Sequence, residues 1–270
     1  MHRLVRILLL CLLLPAAGYA ADTKQDLYRT QAVVTGKGER NRQLGFRDCL
    51  DKVIVRVSGD QRLLSSEKLD PLRDRAGELM ASFTYRDRMA NVPIHDEQGS
   101  YDRPHDLTCI FDRTKLDALL SGLGSKPWLA PRPTVVPLLL VERGGRRFML
   151  TADAADGSFM DVSFVAAAEL VAVGIVLPKA TDVERAGLDA RTLWHSDPAT
   201  RVLLAKEAGG DVPLLGRLIW SDADLGWVAD WRIAFEGRTY DWQARGVSLD
   251  EAFRVAIRGA AQVLSGNGKP

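Results

Sequence analysis

The chain has 270 residues, with 36 lysines and arginines against 35 aspartates and glutamates, and 46% of its residues are hydrophobic. So balanced and well mixed a charge gives no electrostatic footing for nucleic acid or an anionic membrane surface. The length suits one large domain or two of ordinary size.

The chain opens on a basic stretch with Arg3 and Arg6, an apolar run Ile7–Leu14, and small residues from Ala16 to Ala20. That is the layout of a secretory signal peptide over residues 1–20, with cleavage expected near Ala20. A membrane span needs about 20 apolar residues, and this run is much shorter. Cys11 follows three leucines, whereas a lipoprotein signal places a small residue before its cysteine. A soluble, exported, periplasmic protein is the expectation, with no transmembrane segment in the mature chain.

From Tyr28 to Val34 apolar and polar residues alternate, the period of a half-buried strand. Gly36-Lys37-Gly38 breaks the chain, because glycine accepts backbone angles that other residues resist. From Arg40 the period changes: Phe46, Cys49, Leu50, Val53, Ile54 and Val57 recur at helical steps, and Ser58-Gly59 supplies the stop. On Val33 to Gly36, the helix after it and the closing Val53 to Gly59, the chain resembles the bacterial domain of unknown function family 2066, secreted proteobacterial proteins. The resemblance extends through Asp106–Leu120 and more loosely beyond Pro133. It implies no activity and no catalytic residues.

Ser65 to Met80 predicts a second, more polar helix with Pro71 in its first turns. Phe83, Tyr85 and Met89 read as a strand, Asn91–Pro104 as a polar loop, and Leu107–Phe111 as a strand. Asp112 is an N-cap for a helix over Arg113–Ser121. The order β-α-α-β-β-α makes residues 21–124 an α+β sandwich domain. Residues 125–133, with three prolines in nine positions, read as an extended linker.

Residues 134–265 read as an α/β domain with a mixed sheet and a closing helix. Val135–Val141 is nearly all apolar, as in a strand covered on both faces, and Gly144-Gly145 turns it into a hairpin with Arg147–Leu150. A helix over Asp161–Val173, a short strand Ile175–Pro178 and a capping box from Thr181 follow. Asp197-Pro198 starts a helix that Gly209-Gly210 ends. Val212–Trp220, Trp227–Phe235 and Thr239–Ala244 form a meander, and Ser248 caps a last helix with Phe253, Ile257, Ala260 and Leu264 on its apolar stripe. This layout is similar to the second domains of bacterial envelope accessory proteins of the translocation and penicillin-binding-protein activator type, a likeness of fold alone.

Only Cys49 and Cys109 lie beyond the signal sequence. Both point into the same predicted core, so a disulfide between them and two buried thiols that never meet are both open. His95, Asp96, Glu97, Asp102, His105 and Asp106 have metal-ligand side chains, with His95 and His105 as the candidate ligands. No rigid motif spaces them, and a solvated polar loop is the favoured reading. His195-Ser196-Asp197 holds the letters of a hydrolytic triad, but helix capping accounts for two of the three. Gly36-Lys37-Gly38 lacks the third glycine of a dinucleotide fingerprint and the Gly-Lys-Ser/Thr of a P-loop, and reads as a turn. Trp227, Trp231, Tyr240 and Trp242 form an aromatic stripe that either binds a partner or fills the space between sheet and helices. No catalytic residue and no cofactor is expected. The leading reading is a non-enzymatic periplasmic protein acting by contacts with an envelope protein in envelope assembly or maintenance. The alternatives are a binding module for a small envelope or cell-wall component and, last, a metal-dependent hydrolase.

Overall fold

The first strand, β1 (Arg29–Thr35), forms where the sequence alternates, and α1 (Glu39–Ser58) follows. Gly36 turns the chain at φ 73°, in the left-handed region where a side chain is strained. Gly59 ends α1 at φ 74°, its N–H taking the carbonyl of Val55. The structure, a computed structural model, describes residues 27–92, 102–129, 131–154 and 158–270. The protein has an α+β fold with two sheets, one antiparallel and one mixed.

The predicted helix over Ser65–Met80 is instead a string of tight turns around one short helix, α2 (Asp70–Asp74). Pro71 and Gly77 interrupt it, and Leu69 and Ala76 are both pressed into the core. Arg73 holds the wrap by donating to Asp51, Asp70 and the carbonyl of Leu64. The next strand, β2 (Met80–Asp87), starts three residues before the predicted Phe83. It pairs with β3 (Pro104–Phe111), and the order β1-β3-β2 is antiparallel throughout. Asp112 accepts from the Lys115 N–H and starts α3 (Arg113–Gly122). Leu50, Val53 and Ile54 of α1 pack on Leu107 and Cys109 of β3 and Leu116 and Leu120 of α3. Each such side chain contributes about 1.5–3 kcal/mol by leaving water. Cys49 and Cys109 are joined there in a disulfide.

The second sheet is built from β4 (Val135–Arg143), β5 (Arg146–Met149), β6 (Val212–Ser221), β7 (Gly226–Phe235) and β8 (Arg238–Val247), in the order β5-β4-β6-β7-β8. Between β5 and β6 run α4 (Ser158–Leu170), α5 (Ala180–Arg185) and α6 (Pro198–Glu207), and α7 (Leu249–Leu264) closes the chain. β4 runs parallel to β6 and is covered on both faces, as its apolar run requires. Val135, Leu139 and Val141 meet α4 and α7, while Val136, Leu138 and Leu140 meet α5 and α6. α4 begins three residues before the predicted Asp161. Ile175 makes one bridge to Val135 rather than a strand. Glu236 and Gly237 both take positive φ, the backbone of a tight hairpin.

The two halves meet at the end of α1, where Val55 belongs to the core of the second sheet. The last carbonyls of a helix have no partner within it. Here Arg132 donates to that of Arg56, the Trp128 N–H to that of Val57, and the Asn267 amide to that of Ser58. Arg132 also donates to Val171, just past α4. Trp128 is buried there, and Ser125, Pro127, Arg132 and Pro133 are half-buried.

Candidate interaction surface

The sequence of α4, SFMDVSFVAAAEL, is apolar on nearly every side, a composition usual for a helix covered all round. Only one side is covered. Phe164, Ala167 and Ala168 face the sheet and α7, with Phe164 stacked on Phe253 at 4.4 Å between ring centroids. On the other side Phe159 is 85% exposed, Val162 65%, Val165 43% and Leu170 39%. With Ala166 they make one stripe along the helix, and Glu169 is its charged member. Single exposed apolar residues are ordinary, but a contiguous row marks a contact surface.

At the C-terminal end of α4 the stripe runs into two hollows of about 430 Å³ each, which share Lys52 and Leu170. One is walled by Arg29, Thr30 and Gln31 of β1, whose odd residues are exposed. Lys52 donates to the Gln31 carbonyl there and pairs with Asp48. The other hollow carries Arg254 and Arg258 over Val55 and Leu64. A third hollow, about 710 Å³, lies beside β5 and α5. Its Asp153 and Asp189 are held below the usual carboxylate range mainly by backbone N–H groups, of Ala180 and Thr192 respectively. Carboxylates so occupied serve as caps, and poorly as general bases.

The aromatic stripe lies on the core side of the second sheet. Trp231 is completely buried against Phe164, and Trp227 is buried edge-on to Trp220. Tyr240 and Trp242 are half-buried, and the Trp242 indole donates to the Val255 carbonyl of α7. Trp231 therefore has nothing to present to a partner, because alternate positions of β7 face the helices.

Of the metal candidates, His95, Asp96 and Glu97 lie outside the described residues. His105 is buried, with Nδ1 against the Arg103 carbonyl and its ring edge-on to Tyr85. Asp106 points to the opposite face of β3 and pairs with Arg86 at 2.5 Å and Arg88 at 3.6 Å. Neighbours in a strand face opposite ways, so these two cannot share an ion. Among the described residues no three His, Cys, Asp or Glu side chains group to hold a metal, and no helix is long and apolar enough to cross a membrane.

Ser196 donates to the Leu193 carbonyl and Asp197 caps α6 through the Thr200 N–H, so the triad letters serve the helix start. At Gly36 a Cβ would meet the Asp102 carboxylate at 2.3 Å, and Glu39 opens α1. Two acids there repel an anion from the helix N-terminus.

Residues 21–129 match a family described as Domain of unknown function (DUF8605). This overturns the resemblance to family 2066. The features that suggested it are a strand exit at Gly36 and a helix stop at Gly59, which many strand–turn–helix segments need. The match covers less than half of the chain and ends within the connector. No curated protein matches the chain, and no solved structure does.

Proposed function

We propose that the protein is exported, works in an oxidising compartment (the periplasm, on the reading of its first twenty residues) and acts by protein contacts in the cell envelope through the outer face of α4. The single observation behind this is the row Phe159, Val162, Val165 and Leu170, left in solvent on a helix whose other face is core. A disulfide between Cys49 and Cys109 suits an oxidising compartment. The reading asks for no bond-making chemistry. The aromatic stripe gives up the role of docking surface, and α4 takes it over.

The test places a photo-crosslinking residue at Val162 in intact cells, with Leu225 as the control, since Leu225 is 83% exposed on the turn before β7. A discrete protein adduct from position 162, absent from position 225, is expected. Identical, adduct-free patterns at the two positions would overturn the reading.

A further inference from the structure

β1 is an edge of the first sheet, and part of its free side is open. The Phe111 N–H donates to the Tyr28 carbonyl and the Gly36 N–H to the Arg103 carbonyl, so the even-numbered residues of β1 exchange bonds with β3. In an antiparallel ladder the residues between them turn their N–H and carbonyl groups the other way. Those of Arg29, Gln31, Val33 and Thr35 therefore point off the sheet. α1 caps two of the carbonyls, Lys52 donating to Gln31 and Asn41 to Thr35. Among the described residues nothing takes the N–H of Arg29, Gln31 or Val33, or the Val33 carbonyl, and the Val33 side chain is 57% exposed. Such an edge is a template for a further chain. We propose that Arg29–Val33 takes up the C-terminal segment of a partner protein as an added antiparallel strand, with the segment's terminal carboxylate in the hollow beside Arg29.

Charge at one end of the edge decides the direction. α1 runs back along β1, with Asn41 at Thr35, Lys52 at Gln31, and Arg56 in the hollow with Arg29. Arg56 donates to the Glu169 carbonyl, which sets the end of α4 across the path of an added strand at its Arg29 end. The hollow there, about 430 Å³, holds Arg29, Lys52 and Arg56 against one acid, Glu169. A segment parallel to β1 would bring its ammonium terminus to these cations, whereas an antiparallel one brings a carboxylate. Lys52 is shared between the Gln31 carbonyl and Asp48. Turning to the carboxylate, it releases the Gln31 carbonyl to the incoming backbone. Alternate side chains of the segment point into the hollow, where Leu170 is the apolar wall. An apolar side chain close to a free carboxylate is the chemistry that fits. The site goes beyond the contact at α4 and does not rest on it, since Phe159 and Val162 take no part.

The probe is a display library of peptides random over seven residues, the length of β1, each ending in a free carboxylate. Peptides selected on the purified chain are then synthesised with a fluorescent label and titrated by anisotropy. Micromolar binding is expected, weakened at least about tenfold when the terminus is amidated. Val33→Pro should abolish it. Proline there removes an outward N–H that β3 does not use, so the ladder of the first sheet is kept. No enrichment overturns the proposal, as does equal binding of acid and amide. Binding unchanged by V33P in a chain that keeps its unfolding midpoint overturns it too. Should V33P fail to fold, the exposed Arg29 decides: R29E should weaken binding at least about fivefold by reversing a charge in the hollow, and indifference to it refutes the site. None of these outcomes touches the crosslink at Val162, which tests α4 alone.

Discussion

The guanidinium of Arg132 lies 4.2 Å from the ring centroid of Trp128 and sits where two helices end. It donates to the Arg56 carbonyl at 2.7 Å and the Val171 carbonyl at 2.6 Å. The carbonyl ends of α1 and α4 both carry partial negative charge, so a cation placed between them is attracted to each. Burial, then the nearby Arg56 guanidinium, pushes Arg132 down to about 10. That still leaves it charged at neutral pH. Because the folded value lies below the ordinary arginine value, the unfolded chain binds the extra proton only between the two. Stability owed to this group therefore rises with pH in that alkaline window and is flat from about pH 6 to 9.

Replacing Arg132 with methionine keeps much of the stem's packing but leaves the carbonyls without a donor. A loss of roughly 2–4 kcal/mol is expected, because buried acceptors are stranded. Lysine should cost less than methionine yet not restore the wild type, since a single ammonium cannot reach both helix ends as a planar fork does. All six tryptophans lie at or beyond Trp128, so fluorescence in urea reports the second sheet. Hydrogen exchange at the end of α1 reports the first. R132M should lower the fluorescence midpoint and the protection of residues 55–58 together; an unchanged midpoint would refute the role of Arg132 as a clamp.

Where local rules decide, the sequence is legible. Asp112, Asp197 and Ser248 each cap the helix they precede, through a side-chain oxygen on a backbone N–H three residues on. Thr181 does not, because Asp153 reaches across to the Ala180 N–H and α5 starts two residues earlier, with Lys179 at the cap position. The segment 65–80 fails similarly: its apolar spacing mimics a helix, but Leu69 and Ala76 are both drawn into the core beside α1 by a chain that Pro71 and Gly77 interrupt. Nothing local marks Arg132, an arginine among prolines whose partners are carbonyls 76 and 39 positions away. The exposed side of α4 is illegible for a different reason. A helix apolar all round gives no contrast between faces, so only the placement of α7 and the sheet decides which one water sees.

The start of α5 gives a pH-dependent test. The Ala180 N–H, and then the Thr151 hydroxyl, hold Asp153 below the usual carboxylate range. A carboxylate depressed in the folded state contributes stability above its unfolded value and loses it as pH falls through the folded one. D153A should therefore melt below the wild type at pH 7, and the difference should close as pH drops below the ordinary aspartate range. A gap that stays constant to pH 3 would mean the carboxylate charge plays no part.

α7 is seated on β8 through one missing side chain. A Cβ on Gly259 would stand 2.5 Å from Trp242 Cε2, so the glycine is what lets the indole lie against the helix. Gly259→Ala should displace that ring and cost roughly 1–3 kcal/mol, the usual cost of overfilling a packed site. Trp242→Ala removes both the filling and the bond to Val255. The double variant should be less damaged than the two losses added together, because the clash needs both partners. Strict additivity in denaturant midpoints would show that Gly259 does not act through Trp242.

The disulfide supports the first half in a way its hydrophobic core does not. Cys49 and Cys109 join α1 to the central strand β3 across a separation of 60 residues. Closing a loop of that length removes chain entropy from the unfolded state worth about 4 kcal/mol. The same core is otherwise modest, a three-stranded sheet with α1 and α3 on one side. Its strands β1 and β2 are both edges. Reduction, or the paired change Cys49→Ala with Cys109→Ala, should lower the unfolding midpoint of residues 27–124 far more than that of the second sheet. Tryptophan fluorescence would then stay native at denaturant concentrations where α1 has lost its hydrogen-exchange protection. If the two signals fall together, the seam at Arg132 couples the halves more strongly than the disulfide stabilises one of them.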